Sequence, residues 1–218
     1  MGTILIVDDN LDLADNLGEI LSLAGHACTL APSVAAATDA LARARFEVAV
    51  VDMALPDGTG LAVVRAAVAA DPPVPVVVWT AYAEDARVHA AVTAGAVCHV
   101  GKPCCLDTLV PLLDRLADPD ADPVAIAMTT PCLRAAAVAS LVERTPWRPF
   151  AALAEDRPLP PPCDRPVRAV LVEPDADRAA LDRHPALAGV RWIVLAGGPA
   201  APGDVRSWAD RLAVELAR

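Results

Sequence analysis

Short apolar runs alternate with amphipathic stretches through the first half of the chain, residues 1–118. Runs rich in Val and Ile are typical of buried parallel strands, and apolar residues three or four positions apart are typical of helices. The pattern predicts five strands, over residues 3–7, 26–30, 47–51, 74–79 and 97–100. It predicts five helices, over residues 12–24, 34–44, 61–70, 84–94 and 106–117. This alternation is typical of an α/β domain whose parallel sheet is covered by helices on both faces.

Polar side chains stand directly after four of the five predicted strands. They are Asp8, Asp9, Asp52, Thr80 and Lys102. The carboxyl ends of parallel strands meet at one edge of a sheet, and open α/β sheets bind their ligands there. The sequence therefore predicts one site at this edge, built from four separate strand ends.

Four segments carry a resemblance to a known family. They are ILIVDDN at residues 4–10, VVDMALPDG at residues 50–58, Thr80-Ala81 and Gly101-Lys102-Pro103. In order and spacing they resemble the receiver domain of two-component response regulators, the CheY-like superfamily. The resemblance covers residues 1–118 and implies a doubly wound five-stranded parallel sheet of flavodoxin-like order 2-1-3-4-5.

The resemblance also implies a metal site. Asp9 and Asp52 would bind Mg²⁺ directly and Asp8 would bind it through a water molecule. The backbone carbonyl of Ala54 would supply a further oxygen ligand. Hard oxygen ligands of this kind are the ones that Mg²⁺ prefers.

Asp52 would be the phosphoacceptor, because its carboxylate can attack a phosphoryl group and form an aspartyl phosphate. Lys102 would hold one phosphoryl oxygen with its ammonium group, and Thr80 would offer its hydroxyl to another. The phosphoryl donor would be a sensor histidine kinase or a phosphotransfer protein. The domain would be no enzyme beyond self-catalysed phosphotransfer and autodephosphorylation.

Two positions depart from the commonest receiver pattern. His99 stands where the family's switch residue is usually Tyr or Phe, and it would act together with Thr80 as the switch. Since the charge of histidine varies near neutral pH, His99 is either a simple aromatic substitute or a pH-sensitive switch. Cys104 stands where an aromatic residue usually follows the Lys-Pro pair, so the surface at the last helix is expected to differ from that of dimerising regulators.

A polar, proline-bearing break at residues 119–123 predicts a linker before a second, smaller α/β domain over residues 124–218. The apolar pattern of this second half predicts strands over residues 124–128, 167–172 and 190–195. It predicts helices over residues 133–143 and 204–217, separated by a proline-rich stretch.

One spacing suggests that the second half is a copy of the first. Asp9 and Asp52 are 43 positions apart, and so are Thr130 and Glu173. From Asp52 to the start of the last helix at Pro103 there are 51 positions, whereas from Glu173 to the corresponding Pro202 there are only 29. A copy would therefore lack about one strand and one helix. The second half is thus either a truncated pseudo-receiver or an unrelated small α/β output module.

A copy of this kind would have lost its chemistry. In the register that the spacing suggests, Thr129 and Thr130 replace Asp8 and Asp9, and threonines cannot hold a divalent cation as carboxylates do. Glu173 would be either a permanently charged substitute for a phosphorylated aspartate or an ordinary capping acid. The second half would then act through its shape, as a partner surface or an internal brake.

Composition narrows the choice of function. The chain of 218 residues has a formal net charge of -10, so nucleic acid is an improbable partner. No apolar run is long enough to cross a membrane, and two acids follow the first strand before a signal peptide could develop, so we expect a cytoplasmic protein. The six cysteines show no metal-ligand spacing and are read as small apolar residues or incidental thiols.

The sequence therefore predicts a response regulator that accepts a phosphoryl group on Asp52 and signals through protein–protein contacts. The downstream target stays unknown, and a homodimer stays open. The alternative is a transcription regulator with a divergent DNA-binding second half, which a basic patch on one helix would favour. A catalytic second half has no group of residues to support it.

Overall fold

The computed structural model describes most of the chain, including both predicted halves. The described residues are 2–81, 86–102, 106–154, 157–161, 165–173, 181, 183–194 and 214. The predicted closing helix over residues 204–217 lies outside them except for Val214, and so do Cys104, Cys105 and Cys163.

The first half forms a five-stranded parallel sheet with helices around it. Its strands are β1 (Thr3–Val7), β2 (Ala27–Ala31), β3 (Val48–Val51), β6 (Val76–Thr80) and β7 (Cys98–Gly101). A short antiparallel hairpin, β4 (Ala54–Leu55) and β5 (Gly58–Thr59), follows β3. The spatial order is β2-β1-β3-β6-β7, which confirms the predicted flavodoxin-like order for the five main strands.

Five helices connect and cover these strands. They are α1 (Leu11–Leu23), α2 (Val34–Arg43), α3 (Gly60–Ala69), α4 (Ala86–Thr93) and α5 (Leu106–Leu116). The side chain of Ser33 accepts a hydrogen bond from the Ala36 N–H, so Ser33 is the N-cap of α2. The N-cap of α1 is Asn10, directly after the acid pair. This cap turns the chain away from the sheet edge and leaves Asp8 and Asp9 there.

A second parallel sheet is built from the second half. Its strands are β8 (Pro123–Ala127), β9 (Arg148–Ala151), β12 (Val170–Val172) and β13 (Trp192–Val194), in the order β13-β12-β8-β9. Helix α6 (Pro131–Arg144) connects β8 to β9. The hairpin of β10 (Leu153–Ala154) and β11 (Arg157–Pro158) and a single 3-10 turn at Pro185–Leu187 complete the described elements. A second α/β unit is therefore present, as predicted.

The sequence analysis missed strand β9. It contains Pro149, which weakened the strand signal, but β9 is the edge strand of its sheet, where a proline is tolerated. With β9 included, the second sheet has the strand order of the first four main strands of the first sheet. The β10–β11 hairpin lies in the connection between β9 and β12, where the first sheet has helix α2.

The two sheets share part of one hydrophobic core. Leu109 and Leu113 of α5, Ile126 of β8 and Leu141 of α6 belong to the same cluster of buried side chains. Helix α6 contacts α4, β7 and α5, so it packs against the edge of the first sheet at strand β7. Among the described residues, no helix is both long and apolar enough to span a bilayer.

Candidate functional site

Three carboxylates meet at the carboxyl edge of the first sheet. Asp8 and Asp9 follow β1, and Asp52 follows β3, which pairs with β1 so that Val7 lies beside Val51. Ligand oxygens of Asp8, Asp9 and Asp52 all lie within 4.8 Å of one another. Asp8 is buried, whereas Asp9 is exposed, so the cluster opens to solvent on one side. An all-oxygen set at this spacing fits a hard divalent cation such as Mg²⁺.

Lys102 lies between two of these carboxylates. Its Nζ atom is 2.6 Å from Oδ2 of Asp8 and 3.1 Å from Oδ2 of Asp52. The backbone N–H of Lys102 donates a hydrogen bond of 2.9 Å to the carbonyl oxygen of Thr80, which ties the lysine to the end of β6. The structure therefore brings together the predicted residues from β1, β3, β6 and the end of β7.

The ammonium group of Lys102 also contacts the aromatic ring of Trp79. Nζ of Lys102 lies 5.1 Å from the centroid of the Trp79 ring, a cation–π distance. Trp79 is buried and directly precedes Thr80. The sequence analysis did not assign Trp79 to the site, since nothing in the strand pattern separates it from an ordinary core residue.

The backbone around Asp52 is closely packed. Oδ1 of Asp52 accepts a hydrogen bond of 2.7 Å from the Met53 N–H. A Cβ atom placed on Gly60 would lie 2.1 Å from the carbonyl oxygen of Asp52, so only glycine fits behind the predicted phosphoacceptor. The sequence analysis did not assign Gly60 to the site either, because a single glycine at the start of a helix does not indicate a close contact with a distant residue. Ala54 begins β4, and the metal-binding role of its carbonyl stays a prediction.

The two predicted switch residues lie on neighbouring strands. Thr80 is paired with Gly101, and His99 is paired with Val78, so the side chains of Thr80 and His99 leave the same face of the sheet. Thr80 is buried and His99 is partly buried. Burial lowers the pKa of His99 below its ordinary value. Its Nδ1 atom is buried without a hydrogen-bond partner among the described residues.

Pairing of the strands corrects the register between the two halves. Val7 pairs with Val51 in the first sheet, and Ala127 pairs with Val172 in the second, so Glu173 does occupy the place of Asp52. The same pairs make Met128 the counterpart of Asp8 and Thr129 that of Asp9. Thr130 then matches Asn10, and both are the N-caps of the following helices. The register inferred from the 43-residue spacing was wrong by one position for the threonines.

Both carboxylate oxygens of Glu173 accept hydrogen bonds from Thr129 and Thr130. Its Oε1 atom accepts hydrogen bonds from the N–H and the hydroxyl of Thr129, both at 2.5 Å, and its Oε2 atom accepts one of 2.8 Å from the Thr130 hydroxyl. Burial acts to raise the pKa of Glu173, but these hydrogen bonds outweigh it and lower the pKa below its ordinary value. At the carboxyl edge of the second sheet, the carboxylate of Glu173 is thus held by hydrogen bonds from uncharged groups. Among the residues that the structure describes, the only group of three metal-binding side chains is the one in the first half.

Arg134, on helix α6, is a buried charge. Its Nη1 atom donates to the carbonyl oxygens of Ala96 at 2.6 Å and Val92 at 3.3 Å, and its Nε atom donates to that of Met128 at 2.6 Å. Burial lowers the pKa of Arg134 to about 10, and Cys98 and Glu173 act electrostatically in the opposite direction. Cys98 itself is buried, which raises its pKa to about 12, as expected for an inert apolar cysteine.

Comparison with known proteins agrees with this geometry. Residues 4–114 match the response regulator receiver domain family. The chain therefore belongs to the response regulators, and its first half is a receiver domain. The match covers all the candidate site residues of the first sheet.

Relatives and solved structures fit this assignment. The transcriptional regulatory protein FixJ of Bradyrhizobium diazoefficiens is 31% identical over 146 residues, which cover 66% of this chain and 69% of FixJ. The photosynthetic apparatus regulatory protein RegA of Rhodovulum sulfidophilum is 39% identical over 102 residues, which cover 46% of this chain and 55% of RegA. The chain spans only 27% of a third relative, the response regulator protein PilR of Pseudomonas aeruginosa, at 36% identity. The non-phosphorylated HemR receiver domain from Leptospira biflexa has a TM-score of 0.50 at 25% identity, covering 54% of this chain and 95% of that one.

Proposed function

We propose that this chain is a phosphorylation-controlled response regulator whose phosphoacceptor is Asp52. The observation that carries the proposal is the position of Lys102, whose ammonium lies within 3.1 Å of Asp52 in a cluster of three carboxylates. The phosphoryl donor is a sensor histidine kinase or a phosphotransfer protein. Mg²⁺ is the cofactor, held by Asp8, Asp9 and Asp52 with the carbonyl of Ala54.

The residues suggest how the transfer proceeds. A carboxylate oxygen of Asp52 attacks the phosphorus atom, a new P–O bond forms, and the P–N bond of the donor phosphohistidine breaks so that the imidazole leaves with the electron pair. Bound Mg²⁺ supplies positive charge that lets the two anions approach. Lys102 is already placed at Asp52 and neutralises a phosphoryl oxygen. Thr80 offers its hydroxyl to another oxygen.

A degenerate receiver is our proposal for the second half. Its strand order repeats the first four main strands of the receiver, and Glu173 stands in the place of Asp52. The positions of Asp8 and Asp9 hold Met128 and Thr129, so the metal site is absent from this part of the described chain. The second half would then act by contact with other surfaces and not by accepting phosphate.

Protein–protein contact is the output that we propose, in preference to DNA binding. Arg134 lies on α6, the first helix of the second half. Its side chain is buried and donates hydrogen bonds to backbone carbonyl oxygens. Arg144, at the end of the same helix, lies 4.0 Å from the carboxylate of Glu143. Helix α6 therefore offers no support for a phosphate-binding basic stripe.

The proposal is tested by phosphorylation with acetyl phosphate and Mg²⁺, read as a band shift on a phosphate-affinity gel. The wild type should shift, and the shift should disappear in Asp52→Asn and when Mg²⁺ is chelated. Asp57→Asn is the matched control, because Asp57 lies on the exposed turn nearby and caps α2 through the N–H groups of Val34 and Ala35. A shift that persists in Asp52→Asn, or one lost equally in Asp57→Asn, would overturn the assignment of Asp52.

A further inference from the structure

A cavity of about 700 Å³ lies between helix α6, helix α5 and strand β7, and its walls therefore come from both halves of the chain. Small-molecule sites in proteins usually have volumes of roughly 300–1,000 Å³. The three carboxylates of the phosphorylation site do not belong to the described lining of this cavity. Asp107, Ala139 and Glu143 do belong to it and are exposed, so solvent reaches the cavity.

The cavity exists because α6 turns small side chains towards α5. Ala135, Ala136 and Ala139 all line it. Ala139 follows the other two by three and four positions, so the three side chains share one face of the helix. From α5, Thr108 and Pro111 line the opposite wall. Three methyl groups do not fill the space that leucine or phenylalanine at these positions would occupy.

The wall of the cavity contains hydrogen-bond acceptors that the fold does not use. Nδ1 of His99 is buried and has no hydrogen-bond partner within the described part of the chain. Burial lowers the pKa of His99, so its ring is neutral at neutral pH and one ring nitrogen is an acceptor. Pro111 lies inside α5 and has no N–H, so the carbonyl oxygen of Asp107 receives no helical hydrogen bond from it. Since buried polar groups are normally paired, a ligand with N–H donors fits this wall.

The charged groups of the described lining are both acids, Asp107 and Glu143. Oε2 of Glu143 lies 4.0 Å from Nε of Arg144, which is not part of that lining, and an exposed pair of this kind contributes little. The whole chain carries a formal net charge of -10. The electrostatic potential at the cavity therefore favours a cation over an anion.

We propose that this cavity is a binding site for a small organic cation, an amine or amidine attached to an apolar body. The apolar body packs against Leu112, Val138 and Val142, which line the cavity. The N–H groups donate to the acceptors of His99 and Asp107, and the acids of the lining balance the positive charge. The ligand contacts both halves and so strengthens the contact between them. No phosphoryl chemistry is involved, so the proposal does not rest on the proposed function.

Three matched probes test the class of ligand on the full chain. Naphthylethylamine, naphthylethanol and naphthylpropionate share one ring system and are a cation, a neutral molecule and an anion at neutral pH. Two-dimensional NMR of the backbone amides follows each titration. The amine should bind with a Kd of about 1 mM or below, as expected for about 13 non-hydrogen atoms. The alcohol should bind about fivefold more weakly and the anion at least about tenfold more weakly.

The position of the bound amine is read from the same spectra. Amides of residues 98–101, 107–112 and 135–143 should shift together. Equal affinities for the three probes would overturn the assignment to a cation. Absence of amine binding at about 10 mM, or shifts confined to other residues, would overturn the site itself.

Variants of the polar groups test how the cation is recognised. The double variant Asp107→Asn with Glu143→Gln should bind the amine about tenfold more weakly and the alcohol unchanged, because only the amine is charged. His99→Phe should weaken amine binding about fivefold through the lost hydrogen bond. Asp39→Asn is the matched control, at an exposed acid of α2 outside the lining, and should change nothing. Amine binding unaffected in both the double variant and His99→Phe would contradict the proposal.

Filling the cavity should abolish binding irrespective of charge. Ala135→Phe and Ala139→Phe should each weaken binding of the amine at least about tenfold, since the ring occupies the space of the ligand. Ala139 is exposed, so its variant is expected to fold even where Ala135→Phe does not, and thermal melting checks both. Ala42→Phe, at an exposed alanine of α2, is the control and should bind like the wild type. Undiminished amine binding in folded Ala139→Phe would overturn the site.

Discussion

The guanidinium of Arg134 donates a hydrogen bond of 2.6 Å to the carbonyl oxygen of Ala96, so a residue of the second half binds the turn between α4 and β7 of the receiver. Ala96 lies two residues before β7, the strand that carries His99 and ends next to Lys102. The phosphorylation site and the second half are therefore connected through one strand.

Replacing Lys102 should destabilise the receiver when no metal is bound. Lys102→Met leaves the buried carboxylate of Asp8 without its ion-pair partner, and breaking a buried pair in this way costs about 3 kcal/mol. Urea unfolding in the presence of a chelator measures the loss of free energy of unfolding. Mg²⁺ should restore part of it in the variant, since the metal replaces the missing positive charge.

An exposed ion pair provides the comparison for this experiment. Arg43 and Asp39 form such a pair on α2, and Arg43→Met should change the free energy of unfolding by less than about 1 kcal/mol. If Lys102→Met is as mild as Arg43→Met, the lysine does not hold the carboxylates together as the structure indicates.

Gly60 should be intolerant of a side chain because of Asp52. In Gly60→Ala the new Cβ atom meets the Asp52 carbonyl oxygen, so the backbone must move at a cost of about 3 kcal/mol, and the phosphorylation rate should fall with it. Gly18→Ala is the matched control, since the nearest neighbour of its Cβ atom is 3.7 Å away and alanine favours a helix. Equal phosphorylation rates in Gly60→Ala and Gly18→Ala would argue against a close-packed acceptor.

Stability should fall at mildly acidic pH because of His99. Burial lowers the pKa of His99 in the folded chain, so the unfolded chain binds the proton more tightly. The contribution of neutral His99 is complete above its ordinary pKa of about 6.5 and is lost as the pH falls through the lower folded value. Asp107 and Glu143 line the same cavity and are the acids that face it.

The contribution of His99 is measured as the difference between two proteins. Wild type should lose more free energy of unfolding than His99→Phe when the pH drops from about 7.5 to about 5.5, because phenylalanine cannot bind a proton. Every other side chain is the same in both proteins, so its contribution cancels in the difference. Identical pH profiles would show that His99 is a plain aromatic substitute in the folded chain.

The chain should bind one Mg²⁺ ion, since the counterpart of Asp8 in the second half is Met128 and Glu173 is engaged by Thr129 and Thr130. Titration calorimetry of the wild type should give a stoichiometry near one. The Asp9→Asn variant should lose this binding, and Glu173→Gln should keep it. A site that survives Asp9→Asn, or one that disappears in Glu173→Gln, would contradict the assignment.

Much of the receiver could be predicted from sequence because its signals are local. Strand ends marked by Asp52 or Thr80 are visible in the pattern, and the N-cap at Ser33 needs only its neighbours along the chain. The order of the sheet followed from the family resemblance. The predicted boundaries of the described helices and strands lie within about two residues of the observed ones over this half, as is usual for element ends.

The parts that sequence could not predict depend on distant contacts. Trp79 and Gly60 look like an ordinary core residue and a helix start until Lys102 and Asp52 are placed against them. Arg134 looks like a surface residue of an amphipathic helix until α4 supplies the carbonyls that bury it. The register of Thr129 depends on strand pairing, which a spacing along the chain cannot fix.

The most direct measurement is the identity of the residue that carries the phosphoryl group. The chain is phosphorylated with Mg²⁺ and acetyl phosphate, trapped with borohydride and digested, and the peptides are sequenced by mass spectrometry. Borohydride reduces an aspartyl phosphate to homoserine, so the account predicts homoserine at position 52 and an unmodified Glu173. Homoserine at another aspartate, with Asp52 unchanged, would contradict it.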